Sequence, residues 1–360
     1  MANKAQEILI PGEGVFRTVF LNVGQGDSTL LIIPDGTGHK YVLTDSHQDD
    51  KKGSIDIIKL LEDLLEGQKR KLDIYINTHP HKDHLGKVKE MYENKKIGIK
   101  QVWHSGHKPG GDHKDAYKDL EYVMEKVGKE NVFQLKGSRE DNKLDDKEVK
   151  LGDISFNILA PADYVTDEIE DEKPEDRYHR IHEQCGVIRF KYGKKEKQIL
   201  LTGDADYDAW TKHITDYHKD RLPAHVLSAV HHGSNTFFWK GDPKDEDPYT
   251  EHLDKIDPKL IVVSAPARKD SPHGHPDKEA MGLYEDKVGK DNLKHLGDKP
   301  KCIIVDIDSE GNIDIQEDYE LIKEYPSGDD NKDEDKENGG QSASVIYSSK
   351  KQPSKPWLNG

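Results

Sequence analysis

The stretch Asn77-Thr78-His79-Pro80-His81-Lys82-Asp83-His84-Leu85-Gly86 decides how this chain is read. It sets His79, His81, Asp83 and His84 within six positions, directly after the apolar run Leu72-Asp73-Ile74-Tyr75-Ile76. That run predicts a buried strand. A strand ending in clustered imidazoles and a carboxylate is suited to metal. Neutral imidazole fits zinc, and a carboxylate adds a harder donor that also suits manganese. His79 and His81 alternate around Pro80 and leave the strand pointing the same way. Asp83 and His84 come one tight turn later, placed for a second ion. The bland alternative is a polar turn that happens to be rich in histidine, and so dense a set of ligand types argues against it.

Composition bounds the rest. The chain has 360 residues, 33% hydrophobic and 34% charged, with a formal net charge of −16. One compact core with much polar surface follows, and a broad basic groove for nucleic acid is disfavoured, though a local basic patch is not. Asp163 to Asp176 carries eight acidic residues against one lysine, and the stretch from Asp163 to Arg180, with few apolar residues, predicts a solvated loop or lid. Cys185 and Cys302 lie far apart and form no metal-type pair, which suggests a reducing compartment without a disulfide framework. The first residues contain no apolar signal core, and no run of 18 apolar residues occurs, so a soluble cytoplasmic protein with no membrane association is the default expectation.

Outward from the histidine stretch, periodicity predicts strands at 16–23, 28–33, 41–44, 101–103, 187–192, 198–202, 224–230, 260–264, 302–307 and 312–316, and a hairpin within 149–159. Helices are expected at 55–65, 84–94, 116–127, 207–217, 249–255 and 278–288. The domain is expected to span residues 1–322, and 323–360, which lack hydrophobic periodicity, to form a disordered tail. Strands and helices in this order imply an α/β chain folded as a four-layer α/β/β/α sandwich. Asp45, His79, Asp204, His231 and Ser264 all fall at the C-terminal ends of predicted strands, where they can meet on one rim. Gly24-Gln25-Gly26-Asp27 lacks the lysine and following helix of a phosphate loop, so it reads as a hairpin turn.

These residues carry a resemblance. His79-x-His81-x-Asp83-His84 matches the HxHxDH motif of the metallo-β-lactamase superfamily, and Thr202-Gly203-Asp204 its later aspartate motif. Within the superfamily the chain is similar to the competence-protein hydrolase branch (ComEC/Rec2-like). Phe20 to Ser28, Leu200 to Ala205, His231-His232-Gly233-Ser234 and Gly274-His275-Pro276 match that branch in order, over roughly residues 16 to 317. Asn22 stands where the branch has aspartate, and Ile181 to Gly186 departs from its pattern. The membrane-channel portion of the competence protein has no counterpart here, so DNA transport does not carry over.

The resemblance implies the metallo-β-lactamase sandwich, two divalent ions (Zn2+ or Mn2+) and a bridging Asp204. His79 and His81 would serve a first site, Asp83 and His84 a second, with a histidine of the 231–232 pair completing one of them. His232 is the favoured ligand and His231 a neighbour or substrate contact, an order that sequence leaves open. His182 or Cys185 could supply a further ligand, or the first site could be open. Asp83, Asp204 and His231 are the expected catalytic residues, and Asp83 doubles as a proton shuttle. Asp45 is expected to hold the His79 loop by hydrogen bonds, with a simple strand-end cap as the alternative.

His275, Ser234 and His104 are candidates for substrate contact. Ser264 could also donate to phosphate, although Ser234 and Ser264 fit ordinary turn chemistry equally well. His104, His107 and His113 are otherwise expected at the surface, and His213, His218 and His252 to be solvated on helices. The expected activity is hydrolysis of a phosphodiester, most of all nucleic acid. A smaller phosphodiester (a phosphorylcholine ester or cyclic nucleotide), a lactone or acyl substrate, and a non-enzymatic partner-binding role are the alternatives. A basic strip through Lys82 and Lys87 would favour DNA, and an acidic cavity a small substrate. No obligate protein partner is inferable.

Overall fold

The computed structural model describes residues 2–51, 53–93, 97–109 and 114–328, and Met1–Gly328 form one compact unit. Two sheets form its centre. The eight-stranded sheet runs in the order Ile313–Asp318, Cys302–Asp308, Val15–Phe20, Thr29–Asp35, Gly38–Thr44, Lys71–Asn77, Gly98–His104 and Val132–Gln134. Its pairings are antiparallel as far as Gly38–Thr44 and parallel beyond. The six-stranded sheet runs Leu293–Gly297, Leu260–Pro266, Val226–Ser228, Lys197–Leu201, Val187–Tyr192 and Ser155–Ala160. It too is mixed, parallel as far as Lys197–Leu201 and antiparallel beyond.

Side-chain alternation builds the layers. Because successive strand residues face opposite sides, Leu31, Ile33, Ile74 and Ile76 of the first sheet meet Ile188, Phe190, Ile199 and Leu201 of the second between the sheets. The intervening Leu30, Ile32 and Tyr75 face outward onto Ile57–Leu64 and Lys114–Val127. Leu200, Ile261 and Val263 face the opposite way, onto Ala209–Ile214, Glu251–Ile256 and Lys278–Val288. The result is the α/β/β/α sandwich expected from the sequence. Ile57–Leu64 shows why a helix covers the sheet: Ile57, Ile58, Leu60, Leu61 and Leu64 are buried on one face, and the Asp56 carboxylate accepts from Lys59 N at its start.

Several expectations are corrected. Asp163 to Arg180 is not a loop but two helices, Asp163–Asp171 and Pro174–Tyr178. Val165 and Ile169, four residues apart, bury one edge of the first helix, and Arg180 gathers Glu168, Glu172 and Glu183 at 2.6–3.2 Å. The 84–94 helix divides into Lys82–Leu85 and Val88–Glu93. The strands Val132–Gln134 and Leu293–Gly297 were not expected, nor was the helix Lys4–Leu9, although Asn3 and Gln6 form its capping box. Ordered chain also continues past residue 323. Tyr325 is buried, donates to Asp63 Oδ2 at 3.0 Å, and its carbonyl accepts from Asp56 N. The remainder of the expected tail, 329–360, lies outside the described residues. No helix among the described residues is long and apolar enough to cross a membrane.

His218 and His252 are buried rather than solvated, and His213 Nε2 meets Glu183 Oε1 at 2.7 Å. His252 packs among Trp210, Phe237, Phe238 and Tyr249, with neither ring nitrogen hydrogen-bonded. Burial lowers its pKa to about 3. The unfolded chain therefore binds this proton first, so its cost to stability appears as pH falls below about 6.5, reaching about 2 kcal/mol at pH 5. Unfolding free energies of the wild type and His252→Phe, from urea titrations, are expected to diverge by that amount, in the variant's favour, between pH 7 and pH 5. Parallel pH curves would show that His252 protonates without cost.

Candidate metal centre

The strand Lys71–Asn77 delivers the histidine stretch to the rim between the sheets. Asn77 Nδ2 donates to His79 O at 2.8 Å and to Asp45 Oδ1 at 3.2 Å. Asp45 follows the neighbouring strand in a left-handed conformation (φ 56°) and collects three further donors. These are Thr78 N at 2.9 Å, Thr78 Oγ1 at 2.6 Å and His84 Nδ1 at 2.8 Å. The Asp45 carboxylate thus fixes the loop and leaves His84 Nε2 facing the rim.

Asp204 arrives from the other sheet, two residues beyond Thr202. Gly203 makes this approach possible: its φ is +47°, and a Cβ there would lie 2.7 Å from Cys185 Sγ and 2.8 Å from Thr78 Oγ1. His231 and His232 follow Val226–Ser228 and both adopt left-handed backbone (φ 50° and 55°). Their rings diverge. His232 Nδ1 donates to Ser264 O at 2.9 Å and its Nε2 faces Asp83 Oδ2 at 3.5 Å. His231 Nδ1 lies 2.9 Å from Thr236 Oγ1, and its ring borders the cleft.

Three donor groups form among the described residues; Asp27, Asp45 and His84 make one, and the other two share Asp204. Of these two, His79, His81, His182 and Asp204 make one, and Asp83, His84, Asp204 and His232 the other. Within each group, one donor atom per residue lies within 4.8 Å of all the rest. Asp204 belongs to both. Its Oδ2 lies 3.5 Å from His79 Nε2 and 3.8 Å from His182 Nε2, and its Oδ1 3.2 Å from His84 Nε2 and 3.6 Å from His232 Nε2. Donors about 2.0–2.2 Å from a tetrahedral ion stand about 3.4 Å from one another. The buried atoms His79 Nε2, His84 Nε2, His232 Nε2 and both Asp204 oxygens make no aligned hydrogen bond. They stand close to one another without bonding, and the residues present fit divalent metal.

The electrostatics agree. Burial opposes protonation of His84, yet Asp204 and Asp45 raise its pKa well above the usual value. Burial is likewise outweighed at His232, which Asp204, Asp27 and Asp83 push up to about 9. Burial works against the Asp204 carboxylate, but the surrounding histidines, His231 first, hold it well below the usual range. Protons on two imidazoles here supply the positive charge that divalent ions would bring, so loading the site releases protons.

The remaining candidates are placed as follows. Cys185 is not within either group; its Sγ accepts from Asp204 N at 3.3 Å and lies 3.6 Å from His79 Nδ1, behind the donors, and burial raises its thiol pKa. His275 borders the cleft, with Nδ1 3.4 Å from Asp277 Oδ2. Ser234 does not reach the cleft: it is buried and its Oγ caps Asn235–Phe237 by accepting from Thr236 N. Ser264 Oγ donates to Gly26 O at 2.7 Å. His104 borders a separate cavity, and His107 is buried with Nδ1 2.7 Å from Gln184 Oε1, so neither fits the surface expectation. His113 lies outside the described residues.

The cleft over the donors has a volume of about 640 Å3 and also involves Gln25, His47, Asp49, Tyr178 and His273, none of which sequence reasoning singled out. Asp27 was likewise missed as more than part of a turn. Asp27 N donates to Asp83 O at 3.1 Å, and burial raises the Asp27 carboxyl pKa. A Cβ at Gly26 would lie 2.4 Å from Asp83 O, so the glycine turn is pressed against the metal loop. Its signal was present in the matched Phe20 to Ser28 motif.

No protein-family model matches the chain, and no curated protein matches it. Solved structures similar to it include a diphosphatase of the PhnP family, at 14% identity, covering 84% of this chain and 99% of that one with a TM-score of 0.37. An archaeal metallo-β-lactamase superfamily protein from Sulfolobus tokodaii matches at 17% identity, over 54% of this chain and 64% of that one, with a TM-score of 0.27. The metallo-β-lactamase SMB-1 matches at 12% identity, over 75% and 86%, with a TM-score of 0.28. These likenesses are distant, and the site stands on its own geometry.

Proposed function

We propose that this chain is a metal-dependent hydrolase of small phosphodiesters. The observation that carries the proposal is Asp204, one buried carboxylate shared by two donor groups, both of whose oxygens, with the Nε2 atoms of His79, His84 and His232, lack aligned partners. Two bound divalent ions would supply a nucleophilic water at neutral pH and offset charge on the phosphoryl oxygens. The chain's own part is positional. Asp45 and Ser264 O orient His84 and His232 through their Nδ1 atoms. Asp83, bordering the cleft, is placed to take the proton released by attack. Burial keeps His231 neutral, with a pKa of about 3, so it acts as a hydrogen-bonding group beside the phosphoryl oxygens rather than as an acid.

Charge along the cleft favours a small substrate. A polyanion needs a track of available cations. Along this cleft Lys87 is engaged by Glu90 at 3.2 Å and approached by Asp50 at 3.9 Å, while Asp49 and Asp50 border the same space. Tyr178 enters it from the acidic helical cover. Nuclease activity is the second reading, favoured by exposed Lys82 at the cleft and by the competence-branch motifs. Bis-p-nitrophenyl phosphate, single- and double-stranded DNA, and RNA, each with Zn2+ or Mn2+, separate the two. Turnover of the small diester alone is expected. Faster cleavage of nucleic acid would establish the nuclease, and inactivity on all four would redirect the search to lactone or acyl substrates or a binding role.

A further inference from the structure

A second cavity, of about 240 Å3, lies beside the metal cleft, lined by residues adjacent in sequence to ones that line the cleft. Arg177 borders the second cavity while its neighbour Tyr178 borders the cleft; Gln184 and His182 divide in the same way. His104 ends the strand paired with Lys71–Asn77, opposite Asn77, so the cavity opens one strand over from the His79 loop.

Its polar lining is rich in donors. Burial lowers the His104 pKa to about 4, so the imidazole is neutral. His104 Nδ1 accepts from Gly106 N at 3.2 Å, which leaves the single ring proton on Nε2. Gln134 Nε2 is buried without a hydrogen-bond partner. Arg177 uses Nε on Glu172 O at 2.8 Å, and no described residue bonds its two terminal nitrogens. Lys108 adds a second cation, paired at 3.3 Å with Glu170, the one carboxylate in the lining. The Gln184 amide is already committed at both ends, its Oε1 to His107 Nδ1 and its Nε2 to Thr166 Oγ1. What remains available is donor N–H and positive charge, within a chain that is otherwise acidic.

We propose that this cavity is a second binding site, for a phosphate group held by Arg177, Lys108, His104 and Gln134. Its occupant is either the distal phosphate of a substrate whose diester lies over the metal donors or free inorganic phosphate. The first alternative rests on the phosphodiesterase reading; the site itself does not.

The test starts from the wild-type chain stripped of metal, in which the Asp204, Asp83 and Asp45 carboxylates disfavour an anion at the metal centre. Calorimetric titration with inorganic phosphate is expected to show one site. Adding Lys108→Gln and Arg177→Gln should weaken it at least about tenfold, the loss expected for charge-assisted hydrogen bonds. No binding to the metal-free chain, or equal affinity with the Lys108→Gln and Arg177→Gln substitutions, would overturn the proposal. Metal-loaded protein then identifies the source. A lower KM for pTpT than for TpT, lost in Lys108→Gln/Arg177→Gln, assigns the site to the substrate. Equal KM values with phosphate binding intact assign it to free phosphate. Absence of all turnover, with phosphate still bound, rejects the hydrolase reading and keeps the site.

Discussion

Replacing Asp204 by asparagine is expected to lower turnover of a phosphodiester by about three orders of magnitude or more, with the fold retained. The amide keeps the volume and the backbone path that Gly203 permits. It removes the charge shared by both donor groups and turns one oxygen into an NH2 that cannot bind a metal. Metal content measured by elemental analysis should fall with turnover, and far-ultraviolet circular dichroism should not change. His79→Ala is expected to follow the same pattern, because His79 Nε2 faces Asp204 Oδ2 from a fully buried position. Wild-type turnover in either variant would remove the shared-carboxylate centre from consideration.

Asp45→Asn is expected to weaken metal binding about 10- to 100-fold and to destabilise the chain by about 2–4 kcal/mol. Asparagine tolerates the left-handed backbone found at this position, so the substitution isolates the charge. Asp45 accepts from Asn77 Nδ2, Thr78 N, Thr78 Oγ1 and His84 Nδ1. An amide offers one oxygen to these donors and sets its own N–H groups against the rest. His84 then loses the partner that holds its proton on Nδ1 and its lone pair on Nε2. Chelator competition measures the first effect and urea unfolding of the metal-free chain the second. If both are unchanged, Asp45 is no more than a strand-end cap.

The metal loop was legible because its ligand types are dense in sequence and follow an apolar run. Asp45 and Asp204 were legible because strand ends can be read from periodicity, and strand ends are where chains converge. The layered fold followed from the same periodicity. Contributions from irregular backbone were not legible. Spacing within Ile181 to Gly186 does not say which side chain turns inward, and the structure sends His182 to the donors and Cys185 behind them. His104 sits at a strand end as expected, but sheet order places it one strand away from the cleft. His252 was misread because a polar residue on a short helix carries no sign of which face is covered. The acidic helices were misread because Val165 and Ile169 are too few to set a period against so many charges.

Gly203 and Asp204 belong to one sheet and the His79 loop to the other, so the donor groups draw on both halves of the sandwich. Ions held there would act as a rivet across a seam joined by apolar packing and by hydrogen bonds such as Ser264 Oγ to Gly26 O. Because only the folded arrangement brings these donors together, the cohesion of that rim would rise with the free metal concentration around the protein. Scarcity of metal would then loosen first the corner that holds the donors, while the opposite end of the seam kept its packing.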